Sequence, residues 1–135
     1  MKITLTILIC FALCVGVTNA TEQTGWATYY TVKSCQREGT SGLLTASGTR
    51  YDETAMTCAL WKTNGNGKPL RPDGRLVQIT NVATGKTVDV AWTDNGPGRV
   101  PRRRGVIVDL TPAAFRALGG KLKDGRIRVS IEEVK

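Results

Sequence analysis

Polar and apolar residues change their spacing several times along this chain, and each change marks an element. Residues 26–32 (WATYYTV) are rich in aromatic and β-branched side chains and follow Gly25, which predicts a strand. Residues 34–48 are rich in Gly, Ser and Thr and predict a loop carrying Cys35. Residues 55–61 fit either a short helix or a buried turn. The stretch 63–74, with Gly65, Gly67, Gly74, Pro69 and Pro72, is the longest turn-like excursion. Alternation then appears over 75–81 (RLVQITN), with Leu76, Val77 and Ile79 apolar, and over 87–92 (TVDVAW), joined by a turn at 83–86, and predicts a β-hairpin with Val88, Val90 and Trp92 on one face.

Residues 105–110 (GVIVDL) form a short continuous apolar run, the pattern of a fully buried strand. Thr111 and Pro112 then supply an N-cap and a first helical position, and Gly119-Gly120 ends the helix they open. Residues 126–132 (RIRVSIE) alternate once more. No repeat, heptad or linker interrupts the series. The expected architecture is a single all-β domain with one short helix between its last two strands. A closed barrel would let so few residues bury so many strand faces.

The first twenty residues follow another logic. Met1-Lys2 opens an almost unbroken apolar run to Val17, too short to span a bilayer comfortably, and small residues at Thr18 and Ala20 precede a polar start at Thr21. Residues 1–20 therefore read as a cleaved signal peptide and 21–135 as the mature domain. The alternative is an uncleaved N-terminal anchor. Neither Cys10 nor Cys14 follows the small-residue box of a lipoprotein signal, so a soluble, secreted or periplasmic protein with no stable membrane anchor is expected. Cleavage leaves Cys35 and Cys58. In an oxidising compartment two such cysteines form one disulfide, the alternative being two unpaired thiols.

Charge narrows the partners. The chain carries 19 Lys and Arg against 11 Asp and Glu, a net charge of +8, and Arg99, Arg102, Arg103 and Arg104 are clustered. Such a cluster can grip an anionic polymer or simply be a solvated loop. Phosphate contacts would admit nucleic acid, but an exported protein meets wall polymer more often, so no nucleic-acid partner is expected. With no histidine in the chain, Ser-His-Asp and Cys-His catalysis and His-ligated metals are excluded; no metal or cofactor is expected.

An ordered series of segments carries a resemblance. It runs through Gly25-Trp26-Ala27-Thr28-Tyr29-Tyr30, Thr45-Ala46-Ser47-Gly48, Tyr51-Asp52, Ala55-Met56-Thr57, residues 77–81 (VQITN), residues 85–88 (GKTV), Thr93-Asp94-Asn95-Gly96-Pro97 and Val108-Asp109-Leu110-Thr111. In this order they resemble the double-psi β-barrel domain of the rare lipoprotein A family, distantly related to expansin and barwin-like domains. The resemblance implies a six-stranded double-psi β-barrel. It also implies action on peptidoglycan as a lytic transglycosylase that yields anhydromuramyl products, with Asp94 at the family's functional aspartate. Such chemistry is consistent with one carboxyl group, because the attacking hydroxyl belongs to the substrate.

The sequence departs from the family at three places: Leu60 stands at or near the usual His, Asn95 replaces the usual Arg, and the loop over 63–74 is longer than typical. Asp94 therefore reads either as general acid/base or as the cap of an Asp-x-Gly turn. Asp52 reads as a turn cap or a partner of Asp94, and Asp109 as structural. Trp61, Tyr30, Asn95, Arg99 and Arg102 are the candidate substrate contacts, with Trp92 assigned to the core. The rival reading is a non-catalytic, expansin-like module that binds peptidoglycan or another anionic wall glycan. A secreted inhibitor on the same barrel has no support beyond small size and a disulfide. A monomer is expected.

Overall fold

The computed structural model describes residues 22–37 and 43–133; the signal-peptide reading of residues 1–20 lies outside them. Six strands close into a barrel: β1 (Gln23–Tyr29), β2 (Thr57–Leu60), β3 (Leu76–Asn81), β4 (Thr87–Asp94), β5 (Val106–Leu110) and β6 (Ile127–Glu133). Their order around the barrel is β1-β5-β2-β4-β3-β6, with β6 returning to β1. The β1–β5 and β2–β4 pairs are parallel and the other four antiparallel, so the chain crosses the barrel twice.

The predicted hairpin is β3–β4, in register from Thr80 opposite Thr87 to Leu76 opposite Ala91. Its inward residues Val77, Ile79, Val90 and Trp92 are buried with Val108, Leu110, Val129 and Ile131. Helix α3 (Pro112–Ala117) adds Ala114 and Phe115, and Leu118 follows. Thr111 caps that helix as expected: its hydroxyl accepts from the Ala114 N–H at 3.3 Å and donates to the Ala55 carbonyl at 2.6 Å. Gly120 ends the turn because a Cβ there would lie 2.4 Å from the Phe115 ring and 2.8 Å from its carbonyl oxygen.

Three expectations change. Residues 55–61, expected as helix or turn, supply β2, which is buried on both faces (Cys58, Ala59 and Leu60 are at most 5% exposed) and so shows no alternation to read. The strand expected to reach residue 32 stops at Tyr29, and α1 (Val32–Arg37) follows where a loop was expected. Thr31 and Ser34 bond reciprocally, Ser34 N–H to Thr31 Oγ1 at 3.1 Å and Thr31 N–H to Ser34 Oγ at 2.8 Å, while Glu53 accepts from the Val32 N–H at 2.7 Å. These caps outweigh the β-branched character of Thr31 and Val32. The arginine segment likewise folds as α2 (Arg99–Arg103). The described residues thus hold three short α-helices and a 3-10 turn at Leu122–Asp124, on the expected barrel.

Replacing Thr111 by valine keeps its shape and removes both hydrogen bonds at a fully buried site. Urea unfolding is expected to show a loss of about 1–3 kcal/mol with the circular dichroism of the native state unchanged.

Candidate functional site

The end of β4 is where the barrel becomes a site. Between β2 and β4 the register shifts: Cys58 faces Trp92, but the next residue, Ala59, faces Asp94, so Thr93 is bulged out. Trp92 secures this junction. Its buried indole N–H donates to the Leu60 carbonyl at 3.2 Å and the Asp94 carbonyl at 2.9 Å. That settles Trp92 as core, as its alternation predicts. The bulged Thr93 carbonyl accepts from the Ser47 N–H at 3.0 Å. Oδ1 of Asp94 accepts from the Ala46 N–H at 3.0 Å and from its neighbour Asn95 at 2.9 Å.

The carboxylate is therefore a turn cap through one oxygen. Among the described residues no hydrogen bond reaches Oδ2, which leaves that oxygen for other partners. Beyond Asp94 the chain turns through Asn95, Gly96 and cis-Pro97 into α2. Gly96 is buried and has φ +154°, and a Cβ there would meet the Ala59 side chain at 3.3 Å. Glycine lets this turn lie against β2.

A cleft of about 990 Å³ opens here. Asp94, Asn95 and Arg99 form one side, Tyr30, Tyr51 and Cys35 another, and Ala59, Trp61 and Asp109 lie along it. Asp109 is the unexpected member. It stands on β5 opposite Ala59, and Ala59 also faces Asp94 on β4, so the two acidic residues flank one alanine from the strands on either side of β2. Two strand spacings set their Cα atoms about 10 Å apart. Asp109 also takes the hydroxyl hydrogen bond of Thr28, the structural tie expected of it. The signal in the sequence was an acidic residue inside an otherwise apolar strand. Asp52 does not join the cleft: its carboxylate accepts from the N–H (2.8 Å) and hydroxyl (2.7 Å) of Thr54, and these bonds hold its pKa below the ordinary value.

The candidate contacts divide. Asn95 and Arg99 are exposed at the rim. Trp61 is 42% exposed, with the Arg102 guanidinium 4.0 Å from its ring centroid, and Arg102 is held in turn by the Pro97 carbonyl at 3.1 Å. One face of the indole is thus covered by the arginine. Tyr30 stacks on Tyr51 at 4.5 Å, and the Tyr51 hydroxyl donates to the Tyr30 carbonyl at 2.5 Å. Its neighbour Tyr29 turns the other way, onto Phe115 at 5.1 Å and the Leu122 carbonyl at 2.9 Å. Leu60 points into the core, so the β2 residue that faces Asp94 is Ala59.

Burial, and after it the charge of Asp94, raises the Tyr30 hydroxyl well above the usual phenol range, and burial followed by Glu53 does the same to Tyr51. Cys58 lies fully inside β2, where burial pushes its thiol up to about 12 against a smaller opposing pull from Lys62. The structure shows no disulfide between Cys35, half-buried on α1, and Cys58.

A closed six-stranded barrel with two parallel crossings and a cleft at the β4 terminus is a double-psi β-barrel, as the sequence resemblance implies. No protein-family model matches the chain. It is 35% identical over 82 residues, 61% of its length, to a Nostoc protein named probable endolytic peptidoglycan transglycosylase RlpA. It is 35% identical over 109 residues, 81% of its length, to a protein of the same name from Treponema pallidum. The chain spans only 19% and 28% of the lengths of these relatives. Among solved structures it resembles the Streptomyces papain inhibitor, with a TM-score of 0.59 at 24% identity, covering 84% of this chain and 94% of that one. It also resembles a Clavibacter michiganensis expansin in complex with cellohexaose, with a TM-score of 0.56 at 23% identity, covering 84% and 50%. The similarity to the RlpA barrel read from the sequence therefore holds, and the structural neighbours establish the same fold.

In the reduced protein at pH 8, Cys58 is expected to resist iodoacetamide in the native state and to react after unfolding in urea. A thiol near 12 carries about a thousandfold less thiolate there than an ordinary buried-free one near 9. Peptide mass mapping of the alkylated chain reads the difference.

Proposed function

We propose that this chain is an exported protein that cuts peptidoglycan glycan strands as a lytic transglycosylase, with Asp94 as general acid/base. The observation that carries the reading is the state of Asp94, a cleft residue: one carboxylate oxygen is fixed by two backbone N–H groups, and among the described residues no hydrogen bond reaches the other. The names of the RlpA relatives supply the substrate class.

In this mechanism the Asp94 carboxyl gives its proton to the glycosidic oxygen as the bond to the muramyl anomeric carbon breaks. The resulting carboxylate takes the proton of the muramyl 6-hydroxyl as that oxygen closes onto the same carbon. The anhydromuramyl product forms and Asp94 is again protonated. The nucleophile is already tethered to the reacting carbon, so proximity supplies part of the acceleration and no water needs activating. A glycoside hydrolase would require a second carboxylate free to activate water. Asp109, the other acidic residue of the cleft, is engaged by Thr28. Arg99 and the Arg102-covered face of Trp61 form a basic rim suited to the anionic groups of the wall polymer.

The second reading is a non-catalytic wall-binding module of expansin type. What favours it is Ala59: the residue opposite Asp94 offers no second titratable group. Both readings place the protein outside the cytoplasm, secreted or periplasmic, with residues 1–20 as its signal peptide. There an oxidising environment would join Cys35 to Cys58. Intact-mass measurement of protein recovered from the exported fraction is expected to lack the two thiol hydrogens.

Purified peptidoglycan, intact and stripped of stem peptides, tests the activity. The protein is expected to release anhydromuramyl fragments detectable by mass spectrometry, and Asp94→Asn to reduce their rate by about 10²–10⁴-fold, the range typical for loss of an acid/base group. Wall binding without products from either protein would leave the binding module.

A further inference from the structure

The end of the barrel away from Asp94 concentrates positive charge that the cleft does not use. Four ties gather its elements. The Asn81 side chain donates to the Leu118 carbonyl at 2.8 Å, and the Val82 N–H donates to the Arg128 carbonyl at 3.0 Å. The Tyr29 hydroxyl holds the 3-10 turn through the Leu122 carbonyl at 2.9 Å. Lys86 lies along Gly119, where a Cβ would stand 3.5 Å from its Cδ and 3.7 Å from its Nζ. Residues 82–86 and 116–128 thus share one end of the molecule. They hold Lys86, Arg116, Lys121, Lys123, Arg126 and Arg128 against a single acid, Asp124, all of them exposed. None of these cations lines the cleft. β4 starts beside Lys86 and ends at Asp94, so roughly 23 Å of strand lie between.

The fold gains little from the arrangement. Among the described residues the ion pairs use Lys62 and Arg75, and none of the six cations joins one. Like charges gathered at one end repel, a cost to the compact state. Two of them are nevertheless held in place. Arg126 and Arg128 stand over the ring of half-buried Trp26, 4.3 and 5.5 Å from its centroid. A guanidinium over an indole contributes its face to the ring and keeps its N–H edge for a planar oxyanion such as a carboxylate. The six cations are also spread over a turn, a helix, the 3-10 segment and β6, an arrangement matched to many separate anionic groups rather than to one bound ion.

We infer that this end of the barrel is a second contact with peptidoglycan, taking carboxylates of the polymer at a distance from the linkage that Asp94 addresses. This rests on the reading of the cleft as a peptidoglycan site. Peptidoglycan is a long polymer whose negative charge is carried as carboxylates, largely on its stem peptides, so wall material engaged at the cleft brings such groups to the surrounding surface. Exposed charges contribute a little each, act through their number and are screened by salt. The basic end makes and breaks no bond; it holds the protein on the wall.

Co-sedimentation with insoluble peptidoglycan tests this, using native material beside material whose carboxylates have been converted to neutral amides with carbodiimide and methylamine. At low salt the native polymer is expected to bind about tenfold tighter, and the difference to close at about 1 M salt. Arg126→Gln with Arg128→Gln, and separately Lys121→Gln with Lys123→Gln, are each expected to weaken binding to the native polymer about fivefold and to leave binding to the amidated polymer unchanged. The lysine pair leaves the Trp26 stack in place and decides the comparison should the arginine pair unfold the chain. Lys68→Gln with Arg71→Gln removes the same charge from the exposed loop over 63–74 and is expected to bind as the wild type does. An equal loss there would overturn the inference, since net charge alone would then explain binding. Equal binding of native and amidated polymer would overturn it too, as would tighter binding to vesicles of anionic phospholipid than to wall material. Carboxylate-dependent binding through these residues without anhydro products would sink the catalytic reading and keep this one. Anhydro products with binding indifferent to these residues would do the reverse.

Discussion

One indole N–H holds the working end of this barrel. At the β2–β4 junction the two strands slip by one residue, which leaves the Leu60 and Asp94 carbonyls to share the donor of Trp92 at 3.2 and 2.9 Å. The slip is what turns Asp94 toward the cleft and pushes the Thr93 carbonyl out to meet Ser47. The loop carrying Ala46 and Ser47 is then tied twice, once to a bulged carbonyl and once to a carboxylate oxygen. Bulges next to functional groups re-aim side chains in this way. Here the re-aiming depends on a side chain large enough to fill the core and polar enough to bind the two carbonyls.

Around that junction the polar groups fall into two sets. Those with structural duties are closed off: Asp52 by Thr54, Asp109 by Thr28, Asn81 by the Leu118 carbonyl at 2.8 Å and the Ala83 N–H at 3.0 Å. Among the described residues Asp94 Oδ2 accepts no hydrogen bond at the cleft, and the buried hydroxyls of Tyr30, a cleft residue, and of the bulged Thr93 have no partner. Positive charge is distributed similarly. The described ion pairs use Lys62 and Arg75, whereas the arginines of α2 pair with no carboxylate among the described residues. Arg102 instead spends its charge on the face of Trp61 and the Pro97 carbonyl.

The sequence made legible whatever repeats at a period of two or ends on a cap. The β3–β4 hairpin, the apolar β5 and the Thr111-Pro112 helix start all appear where their residues predict them. Elements buried on every side left no such trace: β2 has no polar face to alternate with. Helix α1 starts on the local Thr31–Ser34 pair and on Glu53, which lies far along the chain and supplies an acceptor no local pattern can announce. The site was half visible. Asp94 could be picked out by its motif, but that Ala59 rather than Leu60 faces it follows from a register slip that only the folded pair defines. Asp109 reaches the cleft for the same reason, through strand order rather than sequence distance.

The barrel is closed by its two ends. β1 and β6, the first and last strands, lie side by side, with Gln23 opposite Ile131 and Ala27 opposite Ile127. A chain emerging from its amino end thus holds one unpaired edge of β1 until β6 is available. Closure must then span most of the sequence at once, a long-range pairing that is slow to find. Once made, it removes the last free edge from the sheet, and with it the template on which other chains could add. Trimming even a few residues from β6 would undo both gains together, reopening β1 and β3 at a single stroke.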